Sequence, residues 1–108
     1  MNVKPDNRII YFRETPTKLI GGQVALVHGN PPQKVGGGPN QKQIAISNPA
    51  TANSIYVYED PGRGIIQEIF PRTSWTFVTS GDIYIASSGT GDFTCYFAKS
   101  VYTNDLPG

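Results

Sequence analysis

Glycine and proline interrupt this chain so frequently that no long helix is expected. The 108 residues include twelve glycines and nine prolines, and no stretch shows the spacing of apolar residues by three and four that marks an amphipathic helix. Between these interruptions lie short runs rich in β-branched and aromatic residues, which is typical of strands joined by turns. The runs are RIIYFR (8–13), QVALVH (23–28), QIAIS (43–47), SIYVYE (54–59), IIQEI (65–69), SWTFVT (74–79), DIYIAS (82–87) and DFTCYFAK (92–99).

The spacing of these runs predicts an all-β fold, either an antiparallel β-sandwich or a jelly-roll-like barrel of short strands. Turn-forming residues separate the runs, among them Asn48-Pro49 and Asp60-Pro61-Gly62. A chain of this length is expected to form one domain with a modest core.

The stretch GNPPQKVGGGPNQK, residues 29–42, combines stiff prolines with flexible glycines and buries little. One interpretation makes residues 1–42 an extended N-terminal arm with a linker at 29–42, followed by a β-sandwich domain at 43–108. The other makes 29–42 a long loop within a single sandwich, whose first strands pair into its sheets. The sequence favours the two about equally.

Alternation along the strands separates two sets of side chains, because residues two apart share a face. One set is aliphatic or otherwise apolar and is the predicted core: Ile44, Ile46, Ile55, Val57, Ile83, Ile85, Phe93, Cys95 and Phe97. The other set holds four of the six tyrosines. These rings either cover a second, smaller core or form a contact surface, and the low charge of the chain favours contact.

We therefore predict an interface with another subunit or a larger assembly. Strand-like runs in the proposed arm, Ile9–Phe12 and Val24–Val27, are expected to add to it, because edge strands often pair with a neighbouring chain. The predicted interface residues are Ile9, Tyr11, Phe12, Val24, Leu26, Tyr56, Tyr58, Tyr84 and Tyr96.

Charge and cysteine content argue against several partners and compartments. The net charge is +1 and only 16% of the residues are charged, so we expect no nucleic-acid partner. The segment MNVKPDNR lacks the apolar core of a secretion signal, and LIGGQVALV is too short to span a bilayer. The single cysteine, Cys95, is expected to be a small buried residue in a chain kept reduced.

Residues that carry common catalytic or metal chemistry are few and scattered. His28 has no nucleophile motif near it, and one histidine with one cysteine is too few for a zinc site. The acids Glu59, Asp60, Asp82, Asp92 and Asp105 show no calcium-loop spacing. Gly36, Gly37 and Gly38 lack the lysine and hydroxyl residue of a phosphate-binding loop. We expect neither an enzyme nor a cofactor.

Trp75 and Phe77 lie on the same side of their strand and could form a stacking platform for a sugar or a base. A tryptophan in a strand of a small sandwich is more often part of the core, and that interpretation is preferred.

The order of pieces from residue 43 onward resembles a known class of proteins. QIAISNPATANSIYVYED (43–60) resembles a strand, an asparagine turn and a second strand. IIQEIFPRTSWTFVTSGDIYIASSG (65–89) resembles a pattern in which an apolar run and a proline precede an aromatic strand and then a Gly-Asp-Ile-Tyr strand, and DFTCYFAKS (92–100) closes the domain. This order is similar to that of small β-sandwich accessory proteins of tailed-phage virions, the head decoration or cement proteins.

The resemblance implies a structural role. Proteins of this class bind the capsid exterior, commonly as homotrimers, and reinforce contacts between major capsid proteins without a cofactor. The expected partners are the major capsid protein and the chain itself, and the expected location is the virion after synthesis in the host cytoplasm. The alternative is a carbohydrate-binding or host-attachment module of a tail or fibre component, since such proteins contain similar sandwiches.

Overall fold

The computed structural model describes residues 17–103, which form two four-stranded antiparallel sheets and, within that range, no helix. The strands are β1 (Thr17–Leu26), β2 (Gln33–Gly36), β3 (Gln41–Asn48), β4 (Ile55–Tyr58), β5 (Gln67–Ile69), β6 (Thr73–Phe77), β7 (Ile83–Ser87) and β8 (Phe93–Tyr102). The predicted all-β sandwich fold is confirmed.

The order of strands is β1-β8-β3-β6 in the first sheet and β2-β7-β4-β5 in the second. Successive strands mostly change sheet, and β4–β5 is the one consecutive described pair that stays in the same sheet. The short loops therefore connect the two sheets at the ends of the sandwich, which keeps the sheets face to face.

The core fills the space between the sheets. Its fully buried side chains come from both sheets, with Ile44, Ile46 and Cys95 from the first and Ile55, Val57 and Ile85 from the second at 0% exposure. Burial of each large aliphatic side chain contributes about 1.5–3 kcal/mol relative to exposure. Phe93 and Phe97 are partly buried and pack against this cluster. The predicted core face is thus confirmed.

Strands β1 and β2 belong to the sandwich, which corrects the predicted division at residue 42 for the described residues 17–42. β1 pairs with β8 along its whole length, from Thr17 opposite Tyr102 to Leu26 opposite Phe93. β2 pairs with β7 in the second sheet. The physical reason is that Leu26 and Val35 are core residues, 2% and 7% exposed, and their burial requires both strands.

Two buried polar side chains hold the loops to the sheets. Asn48, 1% exposed, donates from Nδ2 to the carbonyl oxygens of Asn53 and Ile69, and its Oδ1 accepts from the Ala50 amide. Gln41, 3% exposed, donates to the Thr79 carbonyl at 2.6 Å and accepts from the Gly37 amide at 2.8 Å.

Glycine is needed at residue 37 for two reasons. Its φ of 127° lies in the region that side chains other than glycine rarely adopt. A Cβ there would also clash with the Asp82 carboxylate. The triglycine stretch thus turns the chain tightly between β2 and β3, which is a structural use of residues that could have indicated a loose linker.

Candidate interaction surfaces

Three of the four predicted interface tyrosines gather on the outer side of the second sheet. Tyr58 lies directly opposite Tyr84 in the β4–β7 pair, and Tyr56 lies opposite Ala86 one step further. Their inward neighbours Ile55, Val57 and Ile85 form the core, so the rings point away from it. We call Tyr56, Tyr58 and Tyr84 the tyrosine face.

The rings of the tyrosine face are held in place by close neighbours. Opposed residues in an antiparallel pair have Cβ atoms about 5 Å apart, and residues two apart on one strand lie about 7 Å apart. All three tyrosines are half-buried. Ala86 is only 8% exposed although it lies on the outer side, so the surrounding side chains cover it. The result is a continuous aromatic patch.

Opposite charges border the tyrosine face at its two edges. Lys34 on β2 lies opposite Tyr84, and Glu68 on β5 lies opposite Tyr56. The Lys34 ammonium also forms an exposed ion pair with Asp82, with 3.3 Å between the charged atoms. An aromatic centre with a polar, charged edge is the usual composition of a protein contact surface.

Tyr96 does not join this patch, because it belongs to the first sheet on the opposite side of the sandwich. It lies opposite Gln23 of β1 and Ser47 of β3 on the outer side, and it is 47% exposed. The tyrosines predicted to form one interface are therefore divided between two outer faces.

The outer side of the first sheet carries no charged residue at the outward positions that the described strand registers define. The registers of β1, β8, β3 and β6 place fifteen residues there, which we call the charge-free face: Thr17, Leu19, Gly21, Gln23, Ala25, Gln43, Ala45, Ser47, Ser74, Thr76, Thr94, Tyr96, Ala98, Ser100 and Tyr102. None of them is buried. Ten of the eleven charged residues between 17 and 103 lie elsewhere, and Lys42 lies at the β3 bulge beside Gln43, at one end of this face. Such a face is unusual, because the solvent side of an antiparallel sheet is normally polar and edge strands often carry lysine.

The charge-free face could not be predicted from the sequence, because its members are mostly small residues that form no distinctive motif. The alternation of small or hydroxyl residues with core residues, as in Ala45 and Ser47 around Ile46, was the available signal. Only the pairing of the strands shows that the outward positions of four strands lie side by side.

Two predicted interface residues point inward. Leu26 is 2% exposed and part of the core, and Val24 is partly buried against it. Their assignment to an interface is wrong, because the β1–β8 register places Val24 opposite Cys95 on the inner side. Ile9, Tyr11 and Phe12 lie outside the described residues.

Trp75 and Phe77 do lie on the same side of β6, but they do not form an exposed platform together. They stand opposite Ile46 and Ile44, which face the core. Phe77 packs against the core, whereas Trp75 remains 47% exposed because β6 is the edge strand of its sheet. The preferred interpretation as core packing holds for Phe77 and only in part for Trp75.

His28 joins two loops at one end of the sandwich. Its backbone amide donates to the Asp92 carboxylate at 2.9 Å, and its Nδ1 contacts the Gly89 carbonyl oxygen. These contacts connect the end of β1 to the loop before β8.

Among residues 17–103, no three histidine, cysteine or acidic side chains are grouped closely enough to hold a metal ion.

Cys95 is fully buried between Phe93 and Phe97 on the inner side of β8. Burial raises the pKa of its thiol from 9.0 to about 11, because the thiolate would lose its hydration inside the core. The thiol is therefore neutral and sheltered at physiological pH.

Comparisons with known proteins yielded no matching protein-family model, no similar curated protein and no similar solved structure. In the part of the chain that the structure describes, no helix has the length and apolar character needed to cross a membrane.

Proposed function

We propose that this chain is a virion structural protein that decorates the exterior of a tailed-phage capsid. In this role it binds between major capsid proteins as a symmetric oligomer and stabilises the shell. The tyrosine face is the observation that carries the proposal, because it gives the sandwich an ordered aromatic contact surface.

The composition of the tyrosine face suits a contact with protein. Tyrosine buries a large apolar ring at little cost in conformational entropy and keeps a hydroxyl for hydrogen bonding. The cross-strand pair of Tyr58 and Tyr84 restricts both rings before any partner arrives. Lys34 and Glu68 supply a charged rim that orients the docking partner.

A contact of this size needs repetition to be strong. Three rings and their rim bury less area than a typical stable interface, which involves about 800 Å² on each partner. A capsid presents many copies of one site, so an oligomer that binds several of them gains affinity through avidity. Decoration of a lattice is therefore a function that a small neutral sandwich can perform.

Binding to capsids tests the proposal directly. Capsids assembled without this chain are mixed with the purified protein, and bound protein is measured by co-sedimentation. The bound density is then located by electron microscopy at subunit resolution. We expect saturable binding at symmetry-related positions between major capsid proteins. Absence of binding, or binding at tails alone, contradicts the proposal.

Substitution of two tyrosines tests whether the tyrosine face is the contact. The double change Tyr58→Ala and Tyr84→Ala is expected to weaken capsid binding by about tenfold or more, since central aromatic residues dominate interface energies. Phe70→Ala is the matched control, because Phe70 is an aromatic residue 58% exposed outside both sheets. Circular dichroism spectra must show that both variants remain folded. Equal losses for the two variants would show that the contact lies elsewhere.

The same rings also favour a second candidate, a carbohydrate-binding or host-attachment module. The flat face of a sugar ring stacks on tyrosine, and the bordering groups of Lys34 and Glu68 are suitable partners for its hydroxyls. A glycan array separates the candidates. Retention of a glycan that depends on Tyr58 and Tyr84, without capsid binding, would replace the first proposal with this one.

A further inference from the structure

The charge-free face is a wide surface that the proposed capsid contact does not use. It lies on the first sheet, whereas the tyrosine face lies on the second sheet across the core. We propose that the charge-free face binds the same face of a second copy of this chain, which forms a two-fold symmetric dimer with the first sheets in contact.

The absence of charge is the first argument for a second copy as the occupant. In a two-fold symmetric contact a surface meets itself, so each charged residue near the axis approaches an identical charge. Such like-charge contacts cost free energy, and a partner of a different kind is instead commonly selected by complementary charge. Fifteen outward residues without charge remove this repulsion from the centre of the face, because Lys42 at the β3 bulge lies only at one end, and they give an oppositely charged partner little to recognise.

The shape of the face is the second argument. Ten of its fifteen residues are glycine, alanine, serine or threonine, which allow two sheets to approach closely. Near its β1–β8 side the larger residues Leu19 and Tyr96 stand out, 73% and 47% exposed. In a two-fold arrangement with its axis near residue 96, the two Tyr96 rings pack on each other and each Leu19 packs on the small residues of the other copy.

The size of the face is sufficient for a dimer. Its strands have ten, ten, eight and five residues. With strands about 4.8 Å apart and a rise of about 3.3 Å per residue, the flat area is about 500 Å² per copy. Two copies then bury about 1,000 Å², which reaches the lower limit for a specific interface.

This arrangement makes a distinct prediction about symmetry. One face that pairs with itself closes as a dimer, whereas the homotrimer implied by the resemblance needs two different surfaces on each subunit. The dimer also leaves its two tyrosine faces directed outward on opposite sides, each free for another contact.

The mass of the full-length protein in solution tests the proposal. Analytical ultracentrifugation over a range of concentrations is expected to show a monomer–dimer equilibrium. Tyr96→Lys, which places a charge at an exposed position of the face, is expected to raise the dissociation constant at least about tenfold. Ile65→Lys is the matched control, because Ile65 is similarly exposed, at 46%, in the loop before β5. It is expected to leave the dimer unchanged.

A charge-swap experiment distinguishes a direct contact from an effect on folding. Tyr96→Lys and Tyr96→Glu are each expected to be monomeric with an unaltered circular dichroism spectrum. When they are mixed in equal amounts, the opposite charges attract across the interface and dimers are expected to return. A monomeric wild-type protein, a trimer unaffected by Tyr96→Lys, or no recovery in the mixture would overturn the proposal.

Discussion

At the scale of single residues, Asn48 shows what a sequence reveals about a position and what it conceals. Asn48-Pro49 is recognisable as a turn, and the Asn48 side chain does accept from the Ala50 amide as a turn residue would. Its burial and its two hydrogen bonds to the carbonyls of Asn53 and Ile69 depend on strands that are distant in sequence. One residue therefore closes the β3–β4 loop and ties it to β5.

Asn48→Ala is expected to destabilise the protein by about 2–4 kcal/mol, because two buried carbonyl oxygens lose their donor. Chemical denaturation followed by fluorescence gives the free energy of unfolding. Ser47→Ala is the control, since Ser47 is the outward-facing neighbour on the same strand, and its loss should stay below about 1 kcal/mol. Similar values for the two variants would mean that the Asn48 network contributes little.

Cys95 provides a prediction about pH. Burial raises its pKa from 9.0 to about 11, so the folded state favours the neutral thiol. This contribution to stability is fully present below pH 9 and is lost as the pH rises through about 11, up to about 3 kcal/mol in all. Cys95→Ala removes the contribution, so its unfolding free energy should fall less between pH 8.5 and 10.5 than that of the wild type. Parallel curves for the two proteins, or rapid thiol labelling of the native protein at pH 8, would contradict the assignment of Cys95 to the core.

At the scale of strands, alternation identified the inward residues because it depends only on neighbours in sequence. The alternation that places Ile44 with Ile46, or Ile83 with Ile85, on one face is visible in the sequence without knowledge of the partner strand. The first two residues of the run IIQEI are exposed and precede β5, which begins at Gln67. An apolar run marks a strand, but its first paired residue depends on the opposing strand.

The pairing of the strands could not be predicted from the sequence, because it depends on residues that are distant along the chain. β8 lies between β1 and β3, and both partners are far from it along the chain. The phenyl ring of Phe97 packs so closely on Gly22 of β1 that an added Cβ would lie 2.7 Å from it. A pair of glycines such as Gly21-Gly22 is common in turns, yet the structure uses Gly22 within a strand to make room for that ring. The separation of the tyrosines onto two faces likewise follows from pairing alone.

At the scale of the whole molecule, two opposite outer faces differ in character. The second sheet presents aromatic rings bordered by charge, and the first presents a flat neutral surface. A subunit of this kind can form two independent contacts, one through each sheet. Low charge and tyrosine content are the sequence features that predict an assembling protein. In the sandwich the paired outward positions of the first sheet are uncharged, whereas tyrosines lie on both outer sides.

Removal of the first 35 residues tests how the two sheets depend on their edge strands. The deletion takes away all of β1 and most of β2, including the core side chains Leu26 and Val35. The inner sides of β8 and β7 then lose covering side chains, and we expect an insoluble product or one without a cooperative unfolding transition. Removal of residues 1–16 is the control, because it retains all eight described strands. The control should keep the circular dichroism spectrum of the full chain. A soluble, cooperatively unfolding protein after deletion of residues 1–35 would instead show that residues 43–108 form a domain without β1 and β2. That result would support the predicted division into an N-terminal arm and a sandwich domain.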